Sequence, residues 1–211
     1  MQITANPALN LGVAILAAGR SARMGRPTLL LPWGGTSVLG HQIRTWQGLG
    51  VAQVAVVCAS GDTAIQAELD RLQFPPDARI LNPEPEQGMF SSIRCAARWP
   101  GWGAGLTRMA IVLGDQPHPR IESLQALLVL SARRATAICQ PRVGGLPQHP
   151  VILPRATFLQ LAETHATSLR EYLETRPGEL AACDLEDAGL KLDLDTPADY
   201  QRALAQGFPP A

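Results

Sequence analysis

The chain has 211 residues, 46% hydrophobic and 17% charged, which is enough for a full core and excludes a disordered chain. Eighteen basic residues balance eighteen acidic ones, so no broad electrostatic footprint for nucleic acid or a membrane surface is expected. No apolar run approaches the ~20 residues of a membrane span, and the opening MQITANPALNLGVAIL lacks a secretory signal's basic start and cleavage site. The expectation is one soluble, cytoplasmic domain over 1–211, with loose ends at 1–10 and 207–211.

Short runs rich in Val, Ile and Ala alternate with amphipathic stretches. Leu11–Ala17 reads as a first buried strand. Thr36 or Ser37 is placed to cap a helix over Ser37–Leu49, in which Val38, Ile43, Trp46 and Leu49 make a rough apolar stripe. Gln53–Cys58 follows as a strand, then helices at Thr63–Leu72 and Ser91–Trp99. A strand at Met109–Leu113, a helix at Ile121–Arg134 and a strand at Thr136–Cys139 continue the pattern. Gly144–Val151, with Gly-Gly and two prolines, predicts a turn or small hairpin over the strand ends. Helices near Ala156–Thr164 and Ser168–Thr175 precede strand-like Leu180–Leu185 and Leu190–Leu194. Thr196-Pro197 opens a last helix, threonine as cap and proline as first helical residue. The alternation implies an α/β fold: a Rossmann-like, open, mostly parallel sheet with helices on both faces. Ligands of such sheets bind beyond the carboxyl ends of the strands, at a switch point.

Lys191 is the one lysine and all other basic residues are arginines, a bias of the kind a GC-rich genome produces. Cys58, Cys95, Cys139 and Cys183 are too widely spaced for a structural zinc site. They read as free thiols, with Cys58 and Cys139 buried.

The first strand runs into Leu16-Ala17-Ala18-Gly19-Arg20-Ser21-Ala22-Arg23-Met24-Gly25. Small residues let backbone N–H groups approach an anion, Ser21 adds a hydroxyl, and Arg20, Arg23 and Arg26 supply cationic forks for phosphate oxygens. Neither GxxxxGK[ST] nor GxGxxG is present, which disfavours P-loop hydrolases and dinucleotide dehydrogenases. Asp115 directly follows the Met109–Leu113 strand, and Asp195 stands before the last helix. From position alone each reads as a turn or capping residue.

This first loop, with Leu30-Leu-Pro-Trp-Gly34, resembles the signature of the MobA-like nucleotidyltransferase family, which includes the molybdenum-cofactor cytidylyl- and guanylyltransferases. Four further blocks resemble that family in order: Gln87-Gly88-Met89-Phe90-Ser91-Ser92 with Asn82 before it, Leu113-Gly114-Asp115-Gln116-Pro117, His149-Pro150-Val151, and Asp193-Leu-Asp195-Thr-Pro-Ala-Asp199. The resemblance implies a fold of the nucleotide-diphospho-sugar transferase type. It also implies a reaction in which the terminal phosphate of an acceptor attacks the α-phosphorus of a nucleoside triphosphate and pyrophosphate leaves.

By that resemblance Leu16, Ala17, Ala18, Gly19, Ser21, Arg23, Thr28, Asn82, Gly88 and Ser92 would bind the nucleotide. Arg23 and Asp115 would act in catalysis, and Asp115 and Asp195 would hold Mg2+. Asp193 and His149 would touch the acceptor, His149 being open to a structural hydrogen-bonding role as well. Ser91 and Ser92 either meet base or ribose or cap their helix. Ala18, where the guanylyltransferases carry glycine, points to CTP over GTP. The implied acceptor is molybdopterin, the product going to a molybdoenzyme or its chaperone.

Two positions depart from the family. Thr28 stands where a lysine normally reaches the phosphates; losing one such donor costs on the order of 10²–10³ in rate. An arginine stands in, or the domain binds nucleotide without turnover, or the position has been altered. Gln148 replaces the glycine before His-Pro, where its side chain would crowd the approach of the acceptor. A cofactor-delivery protein of the same fold and a sugar- or polyol-phosphate cytidylyltransferase are the alternatives.

Overall fold

The computed structural model describes residues 9–206 except Arg20 and Ala22. The expected loose ends, apart from residues 9 and 10, and the expected phosphate contact of Arg20 lie outside the described residues.

In chain order, β1 (Leu9–Ala17) leads to a small hairpin, β2 (Pro32–Trp33) and β3 (Thr36–Ser37), then α1 (Val38–Gly48). Next come β4 (Val51–Ala59), α2 (Thr63–Arg71), β5 (Arg79–Asn82), α3 (Met89–Arg98), β6 (Arg108–Leu113) and α4 (Ile121–Arg133). The second half holds β7 (Ile138–Val143), β8 (Leu146–Pro147), β9 (Val151–Pro154), α5 (Arg155–Gln160), α6 (Leu169–Glu174), β10 (Leu180–Asp184) and α7 (Pro197–Ala205).

The main sheet runs β10-β7-β9-β6-β1-β4-β5, with β8 attached to β7. Every neighbouring pair is parallel except those involving β8 and β9. The chain builds outward from β1 through β4 to β5, then returns to β6 on the other side of β1. That reversal makes the β1–β6 boundary the switch point, where the loops leaving the two strands part and open a crevice.

Side chains of β1 alternate between two cores, as the period of two demands. Val13 and Ile15 face a layer with Leu39, Trp46, Leu69 and Leu127. Ala14 and Leu16 face a layer with Phe90, Ile93, Phe158 and Tyr172. Helices therefore cover both faces, as expected, and each fully buried aliphatic side chain contributes roughly 1.5–3 kcal/mol.

Several elements differ from the sequence reading, the unforeseen β2–β3 hairpin among them. β5 joins the sheet beside β4 although Arg-Ile-Leu-Asn carries no long apolar run. β9 pairs antiparallel with β6 over Val151–Pro154, of which only Val151 fell in the stretch read as turn and the rest had no assignment. The strand expected at Thr136–Cys139 begins at Ile138 and continues to Val143 through Pro141. Leu190–Leu194 is not a strand: Ala188–Lys191 is a 3-10 turn, capped by the Asp187 carboxylate accepting from Gly189 N–H at 2.9 Å. The anticipated hairpin is present, its turn made by Gly144 and Gly145, both at positive φ, between paired Val143 and Leu146.

Candidate active site at the switch point

The loop after β1 is pinned from inside. Met24 is buried in the core, its N–H donating to the Ser21 carbonyl, and Ser21 Oγ accepts from the Thr28 N–H at 3.0 Å. With the loop held down, Arg23 and Arg26 stay exposed. Arg26 lies over the Tyr200 ring, 5.8 Å from its centre, while Arg23 Nη2 donates to Asp195 Oδ1 at 2.8 Å.

The loop after β6 meets it closely. Gly114 N–H donates to the Leu16 carbonyl at 3.0 Å. A Cβ at 114 would come 2.6 Å from that carbonyl oxygen, so glycine lets the two strand ends converge and delivers Asp115 to the crevice. The segment before α7 arrives alongside, with Leu194 N–H donating to the Asp115 carbonyl at 3.1 Å.

Together these segments enclose a cavity of about 340 Å³ lined by Leu16, Gly19, Ser21, Arg23, Thr28, Leu29, Asp115, Leu194 and Asp195. Seven of these residues were expected in the site from the sequence. Leu29 and Leu194 were not; they are apolar residues beside motif positions, and nothing in the sequence separates them from core. Asp195 is free of the capping role, because Thr196 and Asp199 form the capping box of α7.

The other expected residues lie elsewhere. Ala17 and Ala18 are buried at the end of β1. Asn82 Nδ2 donates to Ser91 Oγ at 2.8 Å and Ser92 Oγ at 3.0 Å, and Asn82 Oδ1 accepts from Glu84 N–H. Asn82 and Ser92 are thus buried and spend these groups on holding the turn between β5 and α3, whose cap is Gly88. None of the three lines the cavity. Asp193 is exposed and accepts from Gln116 Nε2 at 2.5 Å. His149 precedes β9, whose pairing of Val151 with Ile111 sets it near the carboxyl end of β6. Its Nδ1 is buried without a hydrogen-bond partner among the described residues, and burial pushes its pKa down to about 4. At pH 7 the imidazole is then neutral, with one ring N–H to donate and one ring lone pair to accept.

Burial pushes the Asp115 carboxyl up to about 6, helped by the negative charges of Asp193 and Asp195 and opposed by Arg23. A desolvated carboxylate among like charges is stabilised by a cation, which fits Asp115 and Asp195 as holders of a divalent ion. Among the described residues no three acidic, His or Cys side chains form a closed cage. The donor set suits an ion that keeps waters and takes phosphate oxygens as its remaining ligands.

A family model, the MobA-like NTP transferase domain, matches residues 13–181. The chain belongs to this family. This MobA-like domain is 26% identical over 187 residues to the molybdenum cofactor cytidylyltransferase of Escherichia coli (strain K12), spanning 88% of this chain and 91% of that protein. The crystal structure of a Mycobacterium tuberculosis Rv0371c homologue from Mycobacterium sp. strain JC1 superposes with a TM-score of 0.75 at 25% identity, covering 95% of this chain and 98% of that one. Rv0371c of Mycobacterium tuberculosis complexed with manganese gives a TM-score of 0.66 at 25% identity, covering 92% and 98%. The MobA-like domain therefore has the nucleotide-diphospho-sugar transferase type of fold and is a nucleotidyltransferase by family. No helix among its described residues is long and apolar enough to cross a membrane.

Proposed function

We propose that the chain transfers CMP from CTP to the terminal phosphate of molybdopterin, releasing pyrophosphate, with Mg2+ held by Asp115 and Asp195. The observation that carries this reading is the cavity in which the Arg23 loop and those two carboxylates meet. Similarity to the E. coli cytidylyltransferase supports the cytidylyl and molybdopterin assignments, and Ala18 in place of glycine supports CTP.

Phosphoryl-type transfer asks the protein for position and charge neutralisation. Ser21 and the Gly19 backbone offer donors to the triphosphate, and Arg23 leaves Asp195 to take phosphate oxygens with its guanidinium fork. Asp115 and Asp195 would hold the ion, which would supply screening between the two anions that must approach each other. Thr28 offers a hydroxyl but no charge, so Arg23 carries the cationic role at the loop.

A groove of about 520 Å³ bounded by Met89, Leu146, Leu169, Leu173, Gln140 and His149 supports the acceptor assignment. His149 also borders the Gln42–Gln116 side of the Asp115 turn. Arg142, Arg170 and Glu174 line the same groove, so its apolar walls offer a heterocycle a packing surface and the two guanidinium groups suit an acceptor that carries a phosphate.

Thr28 favours one other reading, a nucleotide-binding delivery protein that does not turn over. The test is Mg2+-dependent pyrophosphate release from CTP and GTP, with molybdopterin, a sugar phosphate and a polyol phosphate as acceptors. Release with CTP and molybdopterin alone is expected. Binding of CTP without release from any acceptor would overturn the enzymatic reading, and release with a sugar or polyol phosphate would reassign the acceptor.

A further inference from the structure

Gln42 lies in the apolar stripe of α1, four residues after Val38 and four before Trp46, and all three side chains are buried. An amide placed there without partners costs a few kcal/mol, so its hydrogen bonds decide why it is tolerated. Gln42 Nε2 donates to the Leu113 carbonyl at 2.9 Å and to the Gln116 carbonyl at 2.7 Å. One NH2 group has two hydrogens, and each meets a carbonyl. These two carbonyls bracket Gly114 and Asp115, at the point where β6 leaves its ladder with β1, whose last pair is Leu16 with Leu113.

Backbone contacts secure the residues between, Gly114 through the Leu16 carbonyl and Asp115 through the Leu194 N–H. The Gln116 side chain goes on to Asp193. Gln42 thus acts as a surrogate strand edge, closing the turn from the helix side.

We propose that Gln42 is a positioning residue that fixes the Asp115 turn for metal–nucleotide binding. The inference rests on the reading of Asp115 as an ion holder, and its reach is longer than the sequence shows: a helix residue 73 positions away sets the direction of the carboxylate. Gln42 holds the 113–114 and 116–117 peptide groups and the Leu194 N–H holds the 115–116 group, so the turn that carries the Asp115 carboxylate at the cavity wall is restrained and less reorganisation accompanies binding.

The test compares Gln42→Met, which keeps volume and removes both donors, with Trp102→Phe. Trp102→Phe removes a buried Nε1–H donation to the Ala96 carbonyl in the opposite layer. Three quantities are measured: Tm, affinity for the Mn2+–CTP complex against metal-free CTP, and amide exchange at residues 113–116. Gln42→Met is expected to weaken Mn2+–CTP binding roughly tenfold, about 1.4 kcal/mol. Metal-free CTP affinity should hold, and exchange at Asp115 and Gln116 should accelerate. Gln42→Glu, which turns a carboxylate toward the two carbonyls, is expected to lose more. Trp102→Phe should lower Tm and leave Mn2+–CTP affinity in place.

Gln42→Met that behaves like Trp102→Phe, less stable with Mn2+–CTP affinity intact, overturns the proposal. Asp115→Asn separates the two ideas. If that variant keeps Mn2+–CTP affinity, the metal reading fails by itself. The exchange rates then decide Gln42: acceleration in Gln42→Met supports the clamp, and unchanged rates refute it.

Discussion

Arg23 Nη2 and Asp195 Oδ1 stand 2.8 Å apart, joining the loop after the first strand to the segment before the last helix. The arginine side chain is 72% exposed and the aspartate 32%, so in high dielectric the pair adds little to stability. What it supplies is placement: a guanidinium of the loop sits beside a carboxylate that suits a metal ion. A triphosphate arriving with its ion offers both partners a stronger contact than they give each other.

Arg23→Ala is accordingly expected to change unfolding free energy by less than about 0.5 kcal/mol while weakening CTP–Mg2+ binding by roughly tenfold or more. Chemical denaturation and calorimetry read the two quantities on the same samples. A large stability loss with unchanged affinity would assign Arg23 to the fold instead.

Asp115→Asn is expected to stabilise the protein at neutral pH. Burial raises the folded carboxyl from its ordinary 3.8 to about 6, so folding favours the protonated form. The stability that proton confers is present near pH 4 and is lost as pH rises through 6. Removing the charge should therefore recover roughly 1–2 kcal/mol at pH 7.5, discounted for the group's partial exposure. Little should be recovered at pH 4. Thermal melts at the two values check the sign, and turnover should be abolished.

Thr28→Lys adds a cation at a buried position on the cavity wall. If the missing charge limits the reaction, turnover rises, by up to the order of 10²–10³ that one preorganised donor supplies. Pyrophosphate release under saturating CTP measures it. An unchanged or lower rate would show that an arginine already fills the role.

His118 and His149 are both pushed down to about 4, chiefly by burial. Each is neutral in the folded protein and protonates more readily in the unfolded chain. Stability is therefore complete above the ordinary 6.5 and lost as pH falls toward 4, by on the order of 2–3 kcal/mol per histidine. Asp115 works in the opposite direction over part of that range, but two groups outweigh one. His118→Gln with His149→Gln should flatten the acid limb of a Tm-against-pH curve. A limb equally steep in the double variant would place the acid sensitivity elsewhere.

Much of the site was legible because its chemistry is local. A glycine-rich, arginine-bearing turn after an apolar run declares itself by composition and position, and Asp115 and Asp195 stand out through the blocks that resemble the family. The structure brings Leu16, Gly19, Ser21, Arg23, Thr28, Asp115 and Asp195 around one cavity. Asn82 and Ser92 did not join them, because a carboxamide and a hydroxyl serve a tight turn as readily as a ligand. Only the mutual distance of Asn82 and Ser92, 3.0 Å between their polar atoms, shows which use prevails.

The sequence by itself determined the alternation of strand and helix, the two-sided burial of β1 and the glycine-rich, arginine-bearing character of its loop. Each follows from the period of side chains along a backbone and from the φ, ψ tolerance of small residues. Tertiary structure alone decided that β5 and β9 would be strands, that Leu190–Leu194 would not, and that Gln42 would reach the Asp115 turn. A short strand exists only if a neighbour supplies its hydrogen bonds, and a buried amide is tolerated only where acceptors converge on it. Those partners come from residues far along the chain, so neither is written in the local pattern.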